Sequence, residues 1–139
     1  MTIDSFTEDY RFLSNFWPAP ITLLGLHYAT TEHAYQAMKC VDQFENAEGI
    51  RLAPTAGKAK RMGQATLVRE DWDLIKVDVM RLITRLKYNI PELGMLLLAT
   101  GDQELIEGNT WGDRFWGVCD GEGQNNLGKI LMEVRDSLR

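Results

Sequence analysis

The sequence is poor in the residues that build metal sites, disulfide frameworks and membrane spans. It contains two cysteines and two histidines, and Cys40 and Cys119 have neither a CxxC spacing nor a nearby histidine pair. We therefore expect two free thiols rather than a zinc site or a structural disulfide. The longest apolar run, residues 95–99, is too short to span a bilayer, and the first residues do not resemble a signal peptide. These absences predict a soluble, cytoplasmic protein with no membrane partner.

Positive charge is also scarce. The formal net charge is −5, so we do not expect duplex nucleic acid to bind through bulk charge, although a local basic patch can still bind one phosphate group. The remaining composition is ordinary for a globular protein, with 139 residues of which 45% are hydrophobic and 25% are charged. Because there is no internal repeat, low-complexity tract or linker, we predict a single domain over residues 1–139.

Helical patterns dominate the chain, and strand patterns are few and short. Residues 21–28 predict a hairpin that turns at Gly25. Helices are predicted after Thr30 or Thr31, near 43–52, after Thr55, at 72–88, at 91–99 and at 126–138 with Asn126 as its N-cap. The apolar residues of the longest helix that should face the core are Trp72, Ile75, Val79, Leu82, Ile83 and Leu86. The expected fold is mainly α, with a small β-hairpin element.

Residues 31–39 contain the first candidates for chemistry. Glu32 and Lys39 are seven residues apart, almost two helical turns, so both side chains leave the same face of the helix. Such a carboxylate and amine form either an ion pair on a solvated face or an acid/base and nucleophile pair. His33, as a lone histidine, is more typical of a packed or capping residue than of a ligand.

A glycine-rich loop near residues 108–123 is the second candidate. It contains Trp111, Asp113 and Trp116. The indole rings are suited to stacking on a base, and the glycines let backbone N–H groups approach a ligand closely. The alternative interpretation is that both tryptophans are core anchors and that Asp113 caps a turn.

Two polar segments complete the candidates. Lys58 and Arg61 lie near a predicted helix start, where they either bind phosphate or form a solvated basic face. The segment lacks the Walker arrangement and is therefore not a P-loop. Asn125, just before the last predicted helix, is placed to bond a ribose or a base edge.

Taken in order, these segments resemble the NADAR (NAD- and ADP-ribose-associated) family, also known as YbiA-like proteins. The resemblance covers nearly the whole chain, and the ordered succession of the motifs makes it specific. In the loop the family usually has Trp-Gly-x-Gly, whereas this chain has Cys119 at the last of these positions. The matching segments are residues 12–16 with Pro18, 31–39, 57–63, 71–73 with Met80, 98–102 with Glu107, 116–117 and 126–135.

The resemblance implies an N-glycosidase that hydrolyses the bond between ribose C1′ and a base amine. Members similar to this chain cleave phosphorylated ribosylamine intermediates of riboflavin synthesis, and the small size and net acidity favour that small-molecule substrate here. Other members remove ADP-ribose from guanine in nucleic acid, so ADP-ribosylated guanine is the alternative substrate. Two rival classes remain: a non-catalytic module that binds ADP-ribose or a related nucleotide, and a structural or interaction protein. We expect no metal or organic cofactor, because the chain has no ligand cluster and hydrolysis requires none.

The same resemblance suggests roles for the candidate residues. Lys39 is expected to attack C1′ as a neutral amine and form a Schiff base, while Glu32 transfers protons. Asp113 is expected to orient the ribose or to stabilise positive charge on it. In the alternative without a covalent step, Glu32 or Asp113 activates water directly. The expected substrate-binding residues are Trp72 or Trp116 on the base, Lys58 and Arg61 on the phosphate, and Ser14, Asn15, His33 and Asn125 as polar contacts.

Overall fold

The computed structural model describes residues 1–139 and confirms the predicted mainly α fold. The helices are a 3-10 helix Glu8–Leu13, α1 Thr31–Met38, α2 Phe44–Arg51, α3 Ala56–Gln64, α4 Trp72–Tyr88, α5 Pro91–Ala99 and α6 Asn126–Ser137. The strands are β1 Thr2–Ile3, β2 Ile21–Leu23, β3 Leu26–Tyr28, β4 Glu104–Leu105, β5 Gly108–Asn109 and β6 Val118–Cys119. None of the helices combines the length and the apolar character needed to cross a bilayer.

The chain divides into two compact units. The middle unit is Asn15–Lys87, and the terminal unit is Met1–Ser14 together with Tyr88–Arg139. Cys40 in the middle unit and Cys119 in the terminal unit are both buried free thiols, as expected from their spacing.

In the middle unit, the predicted hairpin and helix caps are present. Strands β2 and β3 pair antiparallel, with Leu23 opposite Leu26, and the turn residues Leu24 and Gly25 both have positive φ. This left-handed pair matches the twist of a two-residue hairpin turn. Helix α1 packs against α2 and α3. The side-chain oxygens of Thr30 and Thr55 accept hydrogen bonds from backbone N–H groups in the first turns of α1 and α3.

The predicted core face of α4 is rotated slightly from the observed one. Trp72, Val79 and Ile83 are buried as expected, but Leu82 is 47% exposed, so its assignment to the core was wrong. The buried stripe instead includes Met80 and the polar residues Thr84 and Lys87. Hydrophobicity alone placed Leu82 in the stripe, whereas the packing surface of α4 runs through positions that include a threonine and a lysine.

In the terminal unit, short parallel pairings join distant parts of the chain. Strand β1 pairs with β4, β5 pairs with β6, and α6 packs beside β4. The N-cap of α6 is Asn125, in the left-handed conformation at φ 54°, rather than the predicted Asn126. Asparagine tolerates this conformation better than most residues do, which allows the chain to turn sharply into the helix.

Candidate functional site

The start of α1 is held in place by Asn15. The backbone oxygen of Asn15 accepts a hydrogen bond from the Glu32 N–H at 3.1 Å, and its side-chain oxygen accepts one from the Thr31 hydroxyl at 2.8 Å. Its side-chain nitrogen points to the sulfur of Met80 at 3.6 Å. Because the Glu32 N–H is a helix-terminal donor that would otherwise lack a partner, its bond to Asn15 fixes the backbone from which the Glu32 side chain projects.

The Glu32 carboxylate is buried and is bound by Gln36, a residue that the sequence patterns did not single out. The Gln36 side-chain nitrogen donates to Glu32 Oε2 at 2.6 Å, and both residues are less than 10% exposed. Gln36 lies directly beneath Gly63 of α3, where an added Cβ would lie 2.7 Å from Gln36 Cδ and 3.0 Å from its Cβ. The absence of a side chain at Gly63 therefore leaves the space in which Gln36 orients the carboxylate.

Lys39 lies within electrostatic range of Glu32, in agreement with the seven-residue spacing. Lys39 directly follows the last residue of α1 and keeps a helical backbone conformation. Its side-chain nitrogen lies 5.3 Å from the centre of the Tyr35 ring. Burial lowers the pKa of Lys39 below its ordinary value; the negative charge of Glu32 opposes this shift, and the charges of Lys60 and Lys76 add to it. The lowered pKa makes the neutral, nucleophilic amine more accessible than it is in an exposed lysine.

Aromatic rings border this group of charges. Trp72 is almost fully buried, and its ring meets the edge of Tyr35 at a centroid distance of 5.2 Å. Phe16 is 44% exposed, and the ammonium group of Lys60 lies 5.9 Å from the centre of its ring. Of these rings, Phe16 offers the larger open face, whereas Trp72 is largely engaged in packing.

Three other predicted residues of the middle unit have different surroundings. His33 is buried, and both ring nitrogens are engaged, one with the Thr30 hydroxyl at 2.8 Å and the other with the Ala53 carbonyl at 3.0 Å. Lys58 and Arg61 are exposed on α3. Neither residue is among the groups that shift the pKa of Lys39.

In the terminal unit, the Asp113 carboxylate organises the glycine-rich loop. Its Oδ1 atom accepts hydrogen bonds from the backbone N–H groups of Phe115 at 3.1 Å and Trp116 at 2.9 Å. Asn109 binds the Asp113 backbone on both its N–H and its carbonyl. Trp111 is 61% exposed, so the interpretation of this residue as a core anchor was wrong.

The remaining predicted residues of the terminal unit are also tied into its backbone. Asn125 is buried; its side chain donates to the Leu105 carbonyl at 3.0 Å and accepts from the Glu107 N–H at 2.9 Å. Ser14 follows the last residue of the 3-10 helix, and its N–H donates to the backbone carbonyl of Arg11. Trp116 is half-buried and packs edge-on against the neighbouring Phe115 ring at 4.8 Å.

In the middle unit, the arrangement of these groups allows specific chemistry. A buried carboxylate with an oriented oxygen and an amine with a lowered pKa lie on one face of α1. Such a pair can exchange protons with a bound molecule and can attack an electrophilic carbon. The signals that sequence patterns overlooked were Gln36, one turn after Glu32, and Gly63, a glycine inside a helix.

Comparison with known proteins gives matches along nearly the whole chain. A family model described as the NADAR domain matches residues 4–139. The protein named N-glycosidase YbiA of Escherichia coli is 39% identical over 138 residues, which cover 96% of this chain and 85% of that protein. A riboflavin biosynthesis protein of Vibrio vulnificus is 44% identical over 137 residues, or 95% of this chain. The aligned part is only 36% of the length of that Vibrio protein.

A solved structure has the same fold. The NMR structure of the E. coli protein YbiA superposes with a TM-score of 0.85 at 38% sequence identity. The superposition covers 99% of this chain and 83% of that one.

Proposed function

Because the chain belongs to the NADAR domain family and aligns along almost its full length with proteins named N-glycosidase, we propose that it hydrolyses N-glycosyl bonds. The family predicted from the sequence motifs is confirmed, and so is the enzyme class that it implied. Within this class, the substrate is a phosphorylated ribosylaminopyrimidine, an intermediate of riboflavin synthesis. Relatives from Vibrio vulnificus and maize named riboflavin biosynthesis proteins support this choice.

The observation that carries the proposal is the pairing of Glu32 with Lys39 on one face of α1. The carboxylate is oriented by Gln36, and the amine has a pKa lowered chiefly by burial. A solvated surface pair would show neither property, since exposed lysines keep their ordinary pKa and exposed carboxylates bind water.

The reaction proceeds through a Schiff base. The sugar ring of the ribosylamine opens as the proton of the base N–H passes to the ring oxygen, which leaves C1′ doubly bonded to the base nitrogen. The neutral amine of Lys39 adds to C1′, and its two N–H protons pass to the base nitrogen, one of them carried by Glu32, so that the C1′–base bond breaks and a Lys39–C1′ imine remains. Water then adds to the imine carbon, Glu32 carries a proton from the water to the Lys39 nitrogen, and the C1′–nitrogen bond breaks as the second water proton follows. The products are the free base amine and ribose 5-phosphate, with Lys39 regenerated.

The first experiment tests the reaction itself. The protein is incubated with a ribosylaminopyrimidine phosphate and, in parallel, with ADP-ribosylated guanine, and release of the free base is followed. We expect turnover of the first substrate, and Glu32→Gln should lower kcat by at least about 100-fold. Release from neither substrate would leave a non-catalytic nucleotide-binding module as the better interpretation. Preference for ADP-ribosylated guanine would refute the substrate assignment alone.

The second experiment tests the covalent step. Borohydride added during turnover should reduce the imine and attach the sugar phosphate to Lys39, which mass spectrometry of peptides detects. Lys39→Arg is the matched control, because it keeps the positive charge but lacks a nucleophilic neutral amine at ordinary pH. Full activity in that variant would favour direct attack by water that Glu32 or Asp113 activates.

Other predictions from the sequence remain predictions. They comprise the single-domain organisation, the cytoplasmic location, and the substrate contacts assigned to Ser14, Asn15, His33, Trp72, Trp116 and Asn125. The phosphate contacts assigned to Lys58 and Arg61 have a competitor within the middle unit, which is developed next.

A further inference from the structure

Lys60 of α3 lies beside the segment that positions Glu32. Its ammonium nitrogen is 5.9 Å from the centre of the Phe16 ring. Phe16 directly follows Asn15, whose backbone oxygen binds the Glu32 N–H. Lys60 is half-buried, in contrast to the exposed lysine two positions before it on the same helix. The contact with Phe16 therefore places Lys60 on the side of α3 that faces the start of α1.

Lys76 reaches the same region from α4. It lies one helical turn after Trp72, whose ring packs on Tyr35, and the Tyr35 ring in turn faces the ammonium group of Lys39. The side chain of Lys76 is 21% exposed and its nitrogen lies 3.1 Å from Asp73. Because the side chain of Asp73 is 89% exposed, this ion pair is weak and a ligand can compete with it.

Positive side chains from α3 and α4 therefore lie within electrostatic range of Lys39, which directly follows α1. The charges of Lys60 and Lys76 both lower the pKa of Lys39, so each of them disfavours a positive charge on Lys39. Glu32 supplies one negative charge near Lys39, and an anion bound close to Lys60 and Lys76 would gain further electrostatic free energy. A phosphate monoester carries close to two negative charges and several acceptor oxygens, and lysine is a common phosphate ligand.

We propose that Lys60 and Lys76 form the subsite that binds the phosphate monoester of the substrate. This inference rests on the proposed function, and it replaces the exposed Lys58 and Arg61 in the role that the sequence predicts for them. A phosphate bound there through C5′ leaves C1′, at the other end of the same sugar, free to reach the Lys39 amine.

The test compares two substrates that differ only in the phosphate. The kcat/KM is measured for the ribosylaminopyrimidine phosphate and for its dephosphorylated form, in the wild type and in Lys60→Met and Lys76→Met. Each variant should lose about 10- to 100-fold on the phosphorylated substrate and less than about 3-fold on the dephosphorylated one. Lys129→Met, which removes an exposed lysine of α6, is the matched control for the change in net charge and should match the wild type.

The pH of the comparison must be controlled. Removing the charge of Lys60 or Lys76 also raises the pKa of Lys39, which lowers kcat/KM for both substrates at a fixed pH. The pH-independent maxima of kcat/KM separate this effect from loss of phosphate binding. An equal loss on both substrates at those maxima would refute the subsite. A phosphate-specific loss in Lys58→Met or Arg61→Met, with none in the variants of Lys60 and Lys76, would refute it as well.

A binding measurement separates this proposal from the proposed function. Inorganic phosphate should raise the Tm of the wild type, and the rise should shrink or vanish in Lys60→Met and Lys76→Met. Lys129→Met should keep the full shift. If no substrate is hydrolysed but this pattern of Tm shifts holds, the N-glycosidase assignment fails while the anion subsite stands. If the wild type turns over substrate but phosphate raises the Tm of the wild type and all variants equally, the subsite fails and the enzyme assignment stands.

Discussion

Replacing Gly63 by alanine should destabilise the protein. It should also disturb the orientation of the Glu32 carboxylate, because the new methyl group displaces the Gln36 side chain that binds it. The added Cβ would overlap the Gln36 side chain, with distances of 2.7 Å to its Cδ and 3.0 Å to its Cβ and a closer approach to Oε1. Gln36 must therefore leave its position and lose the 2.6 Å hydrogen bond to the Glu32 carboxylate.

The magnitude follows from three contributions. Overpacking of a buried contact costs about 1–3 kcal/mol, and loss of a hydrogen bond to a charged group costs about 1.5–3 kcal/mol. The better helix propensity of alanine offsets about 1 kcal/mol. We expect the free energy of unfolding to fall by about 1.5–5 kcal/mol, as measured by urea unfolding. The kcat should also fall, since the carboxylate loses its fixed orientation.

Two matched variants separate this mechanism from a general effect of mutating α3. Gly57→Ala lies in the same helix, where the new Cβ meets nothing closer than 3.7 Å, so it should leave stability unchanged or raise it by up to about 1 kcal/mol. In a Gln36→Ala background, only the 3.0 Å contact remains, and the cost of Gly63→Ala should fall by at least about 1 kcal/mol. The reasoning is refuted if Gly63→Ala is as stable as the wild type, or if its cost is the same with and without Gln36.

Buried and capping side chains elsewhere give three further tests. Burial lowers the pKa of Lys87 to about 7 from 10.5, so the unfolded state binds more protons above pH 7, and the free energy of unfolding should rise by up to about 1.4 kcal/mol per pH unit between pH 7 and 9.5. Urea unfolding of Lys87→Met should show little of this rise. Asp113→Asn keeps the oxygen that accepts two backbone N–H groups, so Tm should stay close to wild type while kcat falls; an unchanged kcat would remove the carboxylate from the chemistry. Asn125→Ala leaves a buried carbonyl and N–H without their partner and should cost about 1–3 kcal/mol in urea unfolding, a prediction that a loss below 0.5 kcal/mol would contradict.

Local patterns in the sequence predicted local structure well. The hairpin turning at Gly25, the caps at Thr30 and Thr55 and the bounds of α4 depend on residues that are neighbours in sequence, and all were confirmed. Turn geometry and capping hydrogen bonds are made within three or four residues, so their signals survive without knowledge of the fold.

Non-local pairings left no readable signal. Strand β1 pairs with β4 over only two residues each, about a hundred positions apart along the chain, and so short a segment shows no alternation. The cap of α6 falls on Asn125 rather than Asn126 because the Asn125 side chain is bound to Leu105 and Glu107, contacts that only the folded chain supplies.

The sequence by itself determined the mainly helical fold, the family and the seven-residue spacing that aligns Glu32 with Lys39, since helix periodicity and ordered motifs are properties of the chain. Only the tertiary structure decided what surrounds that pair. The position of Gln36 under Gly63 and the approach of Lys60 and Lys76 depend on how α3 and α4 lie in the folded unit. Burial and the fields of distant charges arise from packing, and packing brings together residues that the linear order keeps apart.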